Sequence, residues 1–378
     1  MGKIARVPIT NFYVGGDYSA SMLFGADKVP LNLLVDTGSS ALAIDGKKYK
    51  PTSSDKLTKL AQSDSYGDGS SWTGAVINTQ VTVGSGAALV ALSDANVAVA
   101  YRESNRMFDG CDGILGLAYA PLDDAYQMPD VTWKKKYSSS QVMAGERQSI
   151  APYLTQLDTE GVAFEVVSFL TRRSYTHLGG KGLDDPLNQG VMIIGGGTEA
   201  TDLYSGSFQG VRVLADAWYN TNLKAIVVGQ SGSIQVPSRP ARGYPSNSIV
   251  DSGTNSLNLG PKLLHALFAK LPAAQAEMLS NAVLRGTVYT VDDIKLDQWP
   301  TLTFVLEGEA GKPDAQLAVP PQNYWQVNAY QVGAVLPAIT SGDDGMAILG
   351  LPLMNGYFTV FDGEADNHRG VIRFAQAK

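Results

Sequence analysis

Apolar and polar positions alternate with a period of two along most of this chain. The segments 19–24, 31–35, 75–83, 97–101, 191–194, 225–228, 302–306 and 357–361 show that alternation or runs of β-branched residues, and they predict strands. Glycines and Asp/Asn/Ser clusters punctuate them. Helical spacing is confined to three places. Residues 149–157 form a short amphipathic segment. Residues 261–271 open on Pro261 and set Leu263, Leu264, Leu267, Phe268 and Leu271 on one side. Residues 273–284 form the third. The pattern predicts a mainly β fold.

One ordered pair of motifs occurs twice. The first half carries Leu33-Leu34-Val35-Asp36-Thr37-Gly38-Ser39-Ser40-Ala41-Leu42, and the second carries Ser248-Ile249-Val250-Asp251-Ser252-Gly253-Thr254-Asn255-Ser256-Leu257. Downstream of them stand Ile114-Leu115-Gly116 and Ile348-Leu349-Gly350. The economical explanation is a duplication into two similar lobes, 1–198 and 199–378.

Composition supports a globular protein and excludes several classes. Of 378 residues, 44% are apolar and 17% charged, which is foldable rather than disordered. Forty glycines and 18 prolines fit many short strands and turns. The net charge is −7, and the largest basic cluster, Lys134-Lys135-Lys136, reads as a solvated loop, so no nucleic-acid partner is expected. No apolar run approaches the roughly 18 residues that span a bilayer, and no membrane partner is expected. Cys111 is the single cysteine, so no internal disulfide is possible, and this points to a reducing compartment. Together with a start, Met1-Gly2-Lys3-Ile4-Ala5-Arg6, that shows no apolar signal core, it predicts a cytoplasmic protein. The alternative is a secreted or periplasmic mature form.

The chemistry lies in the repeated motif. Hydrolysing a peptide without a metal or covalent nucleophile requires one group to take a proton from water and another to give one to the carbonyl. Two adjacent carboxylates do both, because close like charges cannot both ionise and the pair shares a proton. That titration belongs to the pair. Asp36 and Asp251 are the candidates. Gly38 and Gly253 allow a tight turn and close backbone approach. Thr37 and Ser252 supply hydroxyls able to link the two loops, and Ser39 and Thr254 have hydroxyls able to donate to the outer carboxylate oxygens. Neither motif contains Lys or Arg. A single Asp-Thr-Gly after a strand is ordinarily a turn; the second copy with a matching downstream Ile-Leu-Gly favours a site.

With these residues in hand, the sequence resembles the pepsin-like aspartic proteases over most of its length. Tyr66-Gly67-Asp68-Gly69-Ser70-Ser71-Trp72-Thr73-Gly74 is similar to the family's flap hairpin, and 112–119 to the segment after the first lobe's crossing strands. Ile194-Gly195-Gly196 with 204–207, and 348–350 with 357–362, resemble the interlobe region and the C-terminal crossing. Among members, the chain looks most like the bacterial pepsin homologues of the shewasin type. The resemblance implies a bilobal all-β fold with a cleft between lobes, no cofactor and no metal, a monomer, inhibition by pepstatin and an acidic optimum. Tyr66 and Gly67 would belong to the flap, with Asp68 and Ser70 offering polar contacts to a peptide or protein substrate. Leu34, Phe108 and Ile114 would line one side of the cleft, Ile249 and Ile348 the other. Bulky apolar residues around the cut are then preferred, and Asp68 would tolerate a basic residue before it.

The sequence departs from that family at five places. The family's Asn-Leu-Trp after Asp-Thr-Gly-Ser-Ser is Ala41-Leu42-Ala43, which removes the tryptophan that bonds the flap tyrosine. Trp72 has two readings, a replacement donor or a hairpin-packing residue. Cys111 stands where an aromatic pocket residue is common; it is either an accessible thiol beside a roomier pocket or an inert small side chain. Leu351 replaces an aspartate, and the stretches 122–148 and 172–188 look like added surface loops.

Other sites find no support. Gly195-Gly196-Gly197 lacks the Gly-Lys-Ser/Thr and βαβ context of a phosphate loop. His177, His265 and His368 show no metal-ligand spacing. The expected activity is that of an aspartic endopeptidase, with a catalytically weak peptide-binding protein of the same fold as the alternative.

Overall fold

The computed structural model describes residues 2–14, 16–108, 110–238 and 243–378. The chain forms two compact units, one of residues 1–9, 19–167 and 192–196, the other of 10–18, 168–191 and 197–378. Residues 10–18 and 168–191 belong to the second unit, so the division is not a single cut near residue 198.

Each unit is built on the same three-strand arrangement. In the first, the strand Val29–Asp36 runs parallel to Gly113–Gly116, with Val35 opposite Leu115 and Asp36 opposite Gly116. Leu42–Asp45 then lies antiparallel on the other side of Gly113–Gly116, with Leu42 opposite Leu115. In the second, Ser248–Val250 runs parallel to Ala347–Leu349, with Val250 opposite Leu349. Leu257–Leu259 lies antiparallel beyond it, with Leu257 opposite Leu349. The Ile-Leu-Gly strand is central both times, and Gly113–Gly116, Leu42–Asp45 and Ser248–Val250 are buried throughout. Strands covered on both faces read as unbroken apolar runs rather than alternation, which is how these segments appear in the sequence.

The glycine after each Ile-Leu is required by that crossing. A Cβ on Gly116 would stand 2.4 Å from the backbone carbon of Ser40, and one on Gly350 would stand 2.0 Å from the carbonyl oxygen of Thr254. Both obstacles are main chain of the loop that follows the motif aspartate, so neither can swing away.

Outward from this centre the first unit extends as a sheet. From Leu42–Asp45 it continues through Val90–Ser104, Ser71–Val83 and Lys56–Ser65 to Asp124–Gln127 and Glu146–Ser149. Those last two strands correct the expectation of a surface loop over 122–148. They pair with each other, Ser149 opposite Asp124, and extend the Lys56–Ser65 edge through Leu60–Gln127 and Ala61–Tyr126. A helix, Ser139–Met143, packs under them with Val142 buried. Their sequences, Asp-Ala-Tyr-Gln and Glu-Arg-Gln-Ser, are too polar to announce strands. The stretch 172–188 carries two short turns of 3₁₀ helix, Gly182–Asp184 and Pro186–Asn188.

The second unit shows the alternation most directly. Leu302–Leu306 pairs with Ala315–Val319 so that Leu302, Phe304 and Leu306 face Val319, Leu317 and Ala315, all buried, while the residues between them turn outward. Trp299 and Trp325 meet edge to face at 4.9 Å. The helix Pro261–Lys270 buries Leu264 and Leu267, and Ala273–Arg285 ends on Gly286 at φ +69°, a left-handed cap. The third expected helix moves: it runs Tyr153–Thr159, because Ser149 is taken by the strand pairing and Pro152 occupies the N-cap.

Gly116→Ala and Gly350→Ala should each destabilise the protein by about 2 kcal/mol or more, as forced overpacking against rigid backbone does. Urea unfolding of the two variants checks this, and an unchanged midpoint in either would remove the requirement for glycine.

Candidate active site

Asp36 ends its strand, and Asp251 directly follows Ser248–Val250. Both side chains are buried, at 5% and 7% exposure. A carboxylate taken from water must recover its hydration from fixed donors, and the two loops supply the same set. The Gly38 amide donates to Asp36 Oδ1 at 2.8 Å and the Ser39 hydroxyl donates to Oδ2. The Gly253 amide donates to Asp251 Oδ1 at 2.8 Å, and the Thr254 hydroxyl donates to Oδ2 at 2.6 Å. Hydrogen bonds to a charged acceptor are worth about 1.5–3 kcal/mol each. Thr37 and Ser252, next in sequence to the two aspartates, are buried.

The crossing strands hold both loops. The Ala118 amide donates to the Ser39 carbonyl at 2.9 Å, and the Leu351 amide to the Thr254 carbonyl at 2.8 Å. Leu351, the residue that replaces the family's aspartate, is fully buried and opens a short helix, Leu351–Met354.

The expected lining residues fall into matched pairs. Leu34 lies beside Ile114 on the parallel ladder of the first unit, and Ile249 beside Ile348 on that of the second. Phe108 lies outside these two ladders. It belongs to a cluster with Ala41, Ala43, Trp72, Ala98 and Ala100, against which Tyr66 and Met107 pack. Cys111 is only 8% exposed, so it behaves as a small buried side chain and not as an accessible thiol.

Tyr66 stands at the turn between Lys56–Ser65 and Ser71–Val83. The Tyr66 amide donates to the Ser70 carbonyl at 2.9 Å, and Gly69 takes φ +81°, where a side chain would be strained. Asp68 and Ser70 are committed to the turn itself: Asp68 Oδ1 accepts from the Ser70 amide at 2.8 Å and from its hydroxyl at 2.6 Å. Gly67 is exposed with open space around it.

Both readings of Trp72 hold at once. Its ring is 1% exposed and fills the space over Ala41 and Ala43, and its Nε1–H donates to the Tyr66 hydroxyl oxygen at 3.1 Å. The indole missing at Ala43 is therefore supplied from the neighbouring hairpin strand. The Tyr66 oxygen also meets the Ser39 hydroxyl, which joins the turn to the Asp36 carboxylate. Burial holds the Tyr66 pKa well above 10, with the Asp64 and Asp36 carboxylates adding to the effect, so the hydroxyl keeps its proton. Asp64 is a residue the sequence reading passed over. Its signal was its position, two residues before Tyr66 on an alternating strand and hence on the same face.

The sequence profile of the eukaryotic aspartyl proteases matches residues 17–143 and 182–377. The chain belongs to that family. It is 26% identical over 402 aligned positions to a beta-secretase of Strongylocentrotus purpuratus, covering 93% of this chain and 65% of the relative. It is 38% identical to polyporopepsin of Irpex lacteus over 118 positions, and 34% identical to rhizopuspepsin-5 of Rhizopus niveus over 129, in each case covering 31% of this chain and 32% of the relative. The matches thus span less than two thirds of the beta-secretase and about a third of each fungal protein. Among the described residues, no helix is long and apolar enough to cross a membrane.

Trp72→Phe keeps most of the packing and loses the donor. It should cost about 1 kcal/mol, whereas Trp72→Ala should cost about 3–5 kcal/mol through the cavity it leaves. Thermal unfolding of the two variants separates the terms, and an undiminished stability in Trp72→Phe would mean that the hydrogen bond contributes nothing.

Proposed function

We propose that this chain is an aspartic endopeptidase in which Asp36 and Asp251 act as one carboxylate pair on a shared water. The observation that carries the reading is the cradle repeated in both units: an amide two residues on and a hydroxyl three residues on, directed at the two oxygens of each carboxylate. The family to which the chain belongs supports it.

The ionised carboxylate takes a proton from the water as its oxygen attacks the scissile carbonyl. The protonated one gives its proton to the carbonyl oxygen, which yields a neutral gem-diol and no acyl-enzyme. Collapse of the diol breaks the C–N bond as a proton passes to the leaving amine. Because the pair must hold one proton, turnover peaks in acid and falls as the pair loses it.

An extended peptide segment is the substrate, bound largely by main-chain hydrogen bonds. The apolar pairs Leu34–Ile114 and Ile249–Ile348 favour bulky apolar residues around the cut. Asp68, exposed at the turn, accommodates a basic one. The Trp72–Tyr66 bond counts against the weak peptide-binder alternative, since the turn is not left without its indole donor. One buried cysteine fits a reducing, cytoplasmic setting and the narrower likeness to bacterial pepsin homologues. The protein acts as a pepstatin-sensitive monomer.

A peptide-library digest over roughly pH 3 to 8, which spans the loss of the shared proton, tests this with and without pepstatin. Asp36→Asn and Asp251→Asn should each lower turnover by at least about a thousandfold, within the range typical of lost general acid–base catalysis, while leaving folding intact by circular dichroism. Absence of pepstatin-sensitive cleavage at every pH would instead assign the chain to peptide binding.

A further inference from the structure

Outside the two aspartate loops, one buried carboxyl stands out. Asp123 is 2% exposed. It directly precedes the added strand Asp124–Gln127, with its backbone held on both sides: its amide donates to the Ala120 carbonyl at 2.9 Å, and its carbonyl accepts from Ile150 at 3.0 Å. Its side chain meets the strand that carries Tyr66. Gln62, itself 4% exposed, donates Nε2–H to Asp123 Oδ1 at 2.6 Å and reaches the Asp124 carbonyl at 3.3 Å. Gln62, Asp64 and Tyr66 succeed one another on a single face of that strand, and Asp64 lies opposite Trp72 in the ladder. A line of neighbouring side chains therefore runs from Asp123 through Gln62 and Asp64 to the tyrosine and its indole donor.

We propose that Asp123 is a positioning residue for the Tyr66 hairpin: while its carboxyl carries a proton the hairpin is held in order, and ionisation of that carboxyl loosens it. The proposal rests on the reading that Tyr66 closes over a bound peptide.

The surrounding charges explain the effect. Asp64 faces Asp123 from the Tyr66 strand, and Asp124 adjoins it on the added strand. Arg147, from Glu146–Ser149, is taken up by Asp124 at 2.6 Å. The Ser71–Val83 strand, the Ala120–Leu122 turn and the Ser139–Met143 helix carry no charged residue. Burial pushes Asp123 up to about 7, the Gln62 hydrogen bond pulls the other way, and the Asp64 and Asp124 charges add to the rise. Burial likewise raises Asp64.

The sign follows from proton counting. An opened hairpin hydrates Asp123 and returns it toward the ordinary aspartate value of 3.8. The closed hairpin then binds more protons than the open one between those two values. Opening becomes easier as pH rises through that window, by about tenfold per pH unit, and levels off above it.

Hydrogen exchange of the intact chain, read on amides 60–75 from pH 5 to 8 and corrected for intrinsic rate, tests the proposal without turnover. Wild type should lose protection about tenfold per pH unit up to near pH 7. Asp123→Asn, neutral at every pH and still able to accept from Gln62, should lose most of that slope, and so should Asp123→Ser if the asparagine variant folds poorly. Asp36→Asn should keep the full slope, which separates this proposal from the one on catalysis. With a peptide substrate, KM should climb over the same range in wild type and not in Asp123→Asn. A wild-type slope in the Asp123 variants, a flat wild type, or identical KM profiles would overturn the positioning role.

Discussion

A carboxylate buried to a few per cent exposure survives only where donors replace the water it has lost, and the structure is organised around meeting that condition twice. An amide and a hydroxyl close on each of Asp36 and Asp251 from the turn that follows it. That turn is tight because a crossing strand presses a glycine against its main chain. The crossing strand can run there only because it is flanked on one side by the strand leading into the aspartate and on the other by the strand leading out. The chemistry of one side chain thus reaches outward to the pairing order of the sheet.

The first unit adds a device built on its motif serine. Ser39 serves both the Asp36 carboxylate and the Tyr66 hydroxyl, and Tyr66 is in turn fixed by Trp72. Ala41 and Ala43 leave room for that indole, so the loss of a large side chain in one strand and its presence in the neighbouring hairpin form a single packing solution. The cost of deleting either half would fall on the ordering of the hairpin.

The added segment 122–148 changes the mechanical setting of the same hairpin. Two strands and a helix extend its outer edge, which would otherwise expose unpaired backbone groups. The extension also buries Asp123 beside Gln62, and it brings Arg147 to Asp124 while Asp123 and Asp64 are left to acidic neighbours. An edge that protects the sheet therefore also places ionisable groups where burial shifts their titration.

Much was legible in the sequence alone. The repeated Asp-Thr/Ser-Gly-Ser/Thr and Ile-Leu-Gly motifs identified both carboxylates, their donors and the duplication, because those are local or short-range relations between residue types. The alternating strands and the helices that open on Pro261 and Ala273 were readable for the same reason. What only the tertiary structure decided were contacts between segments distant in the chain. The polar strands at 124–127 and 146–149 declare themselves only by pairing with a third. Trp72 becomes a donor because the ladder folds it over Ala43. Phe108 joins the cluster under the hairpin, where Tyr66 and Met107 pack against it. Asp123 acquires its character from Gln62 and from burial, neither of which a spacing in sequence records.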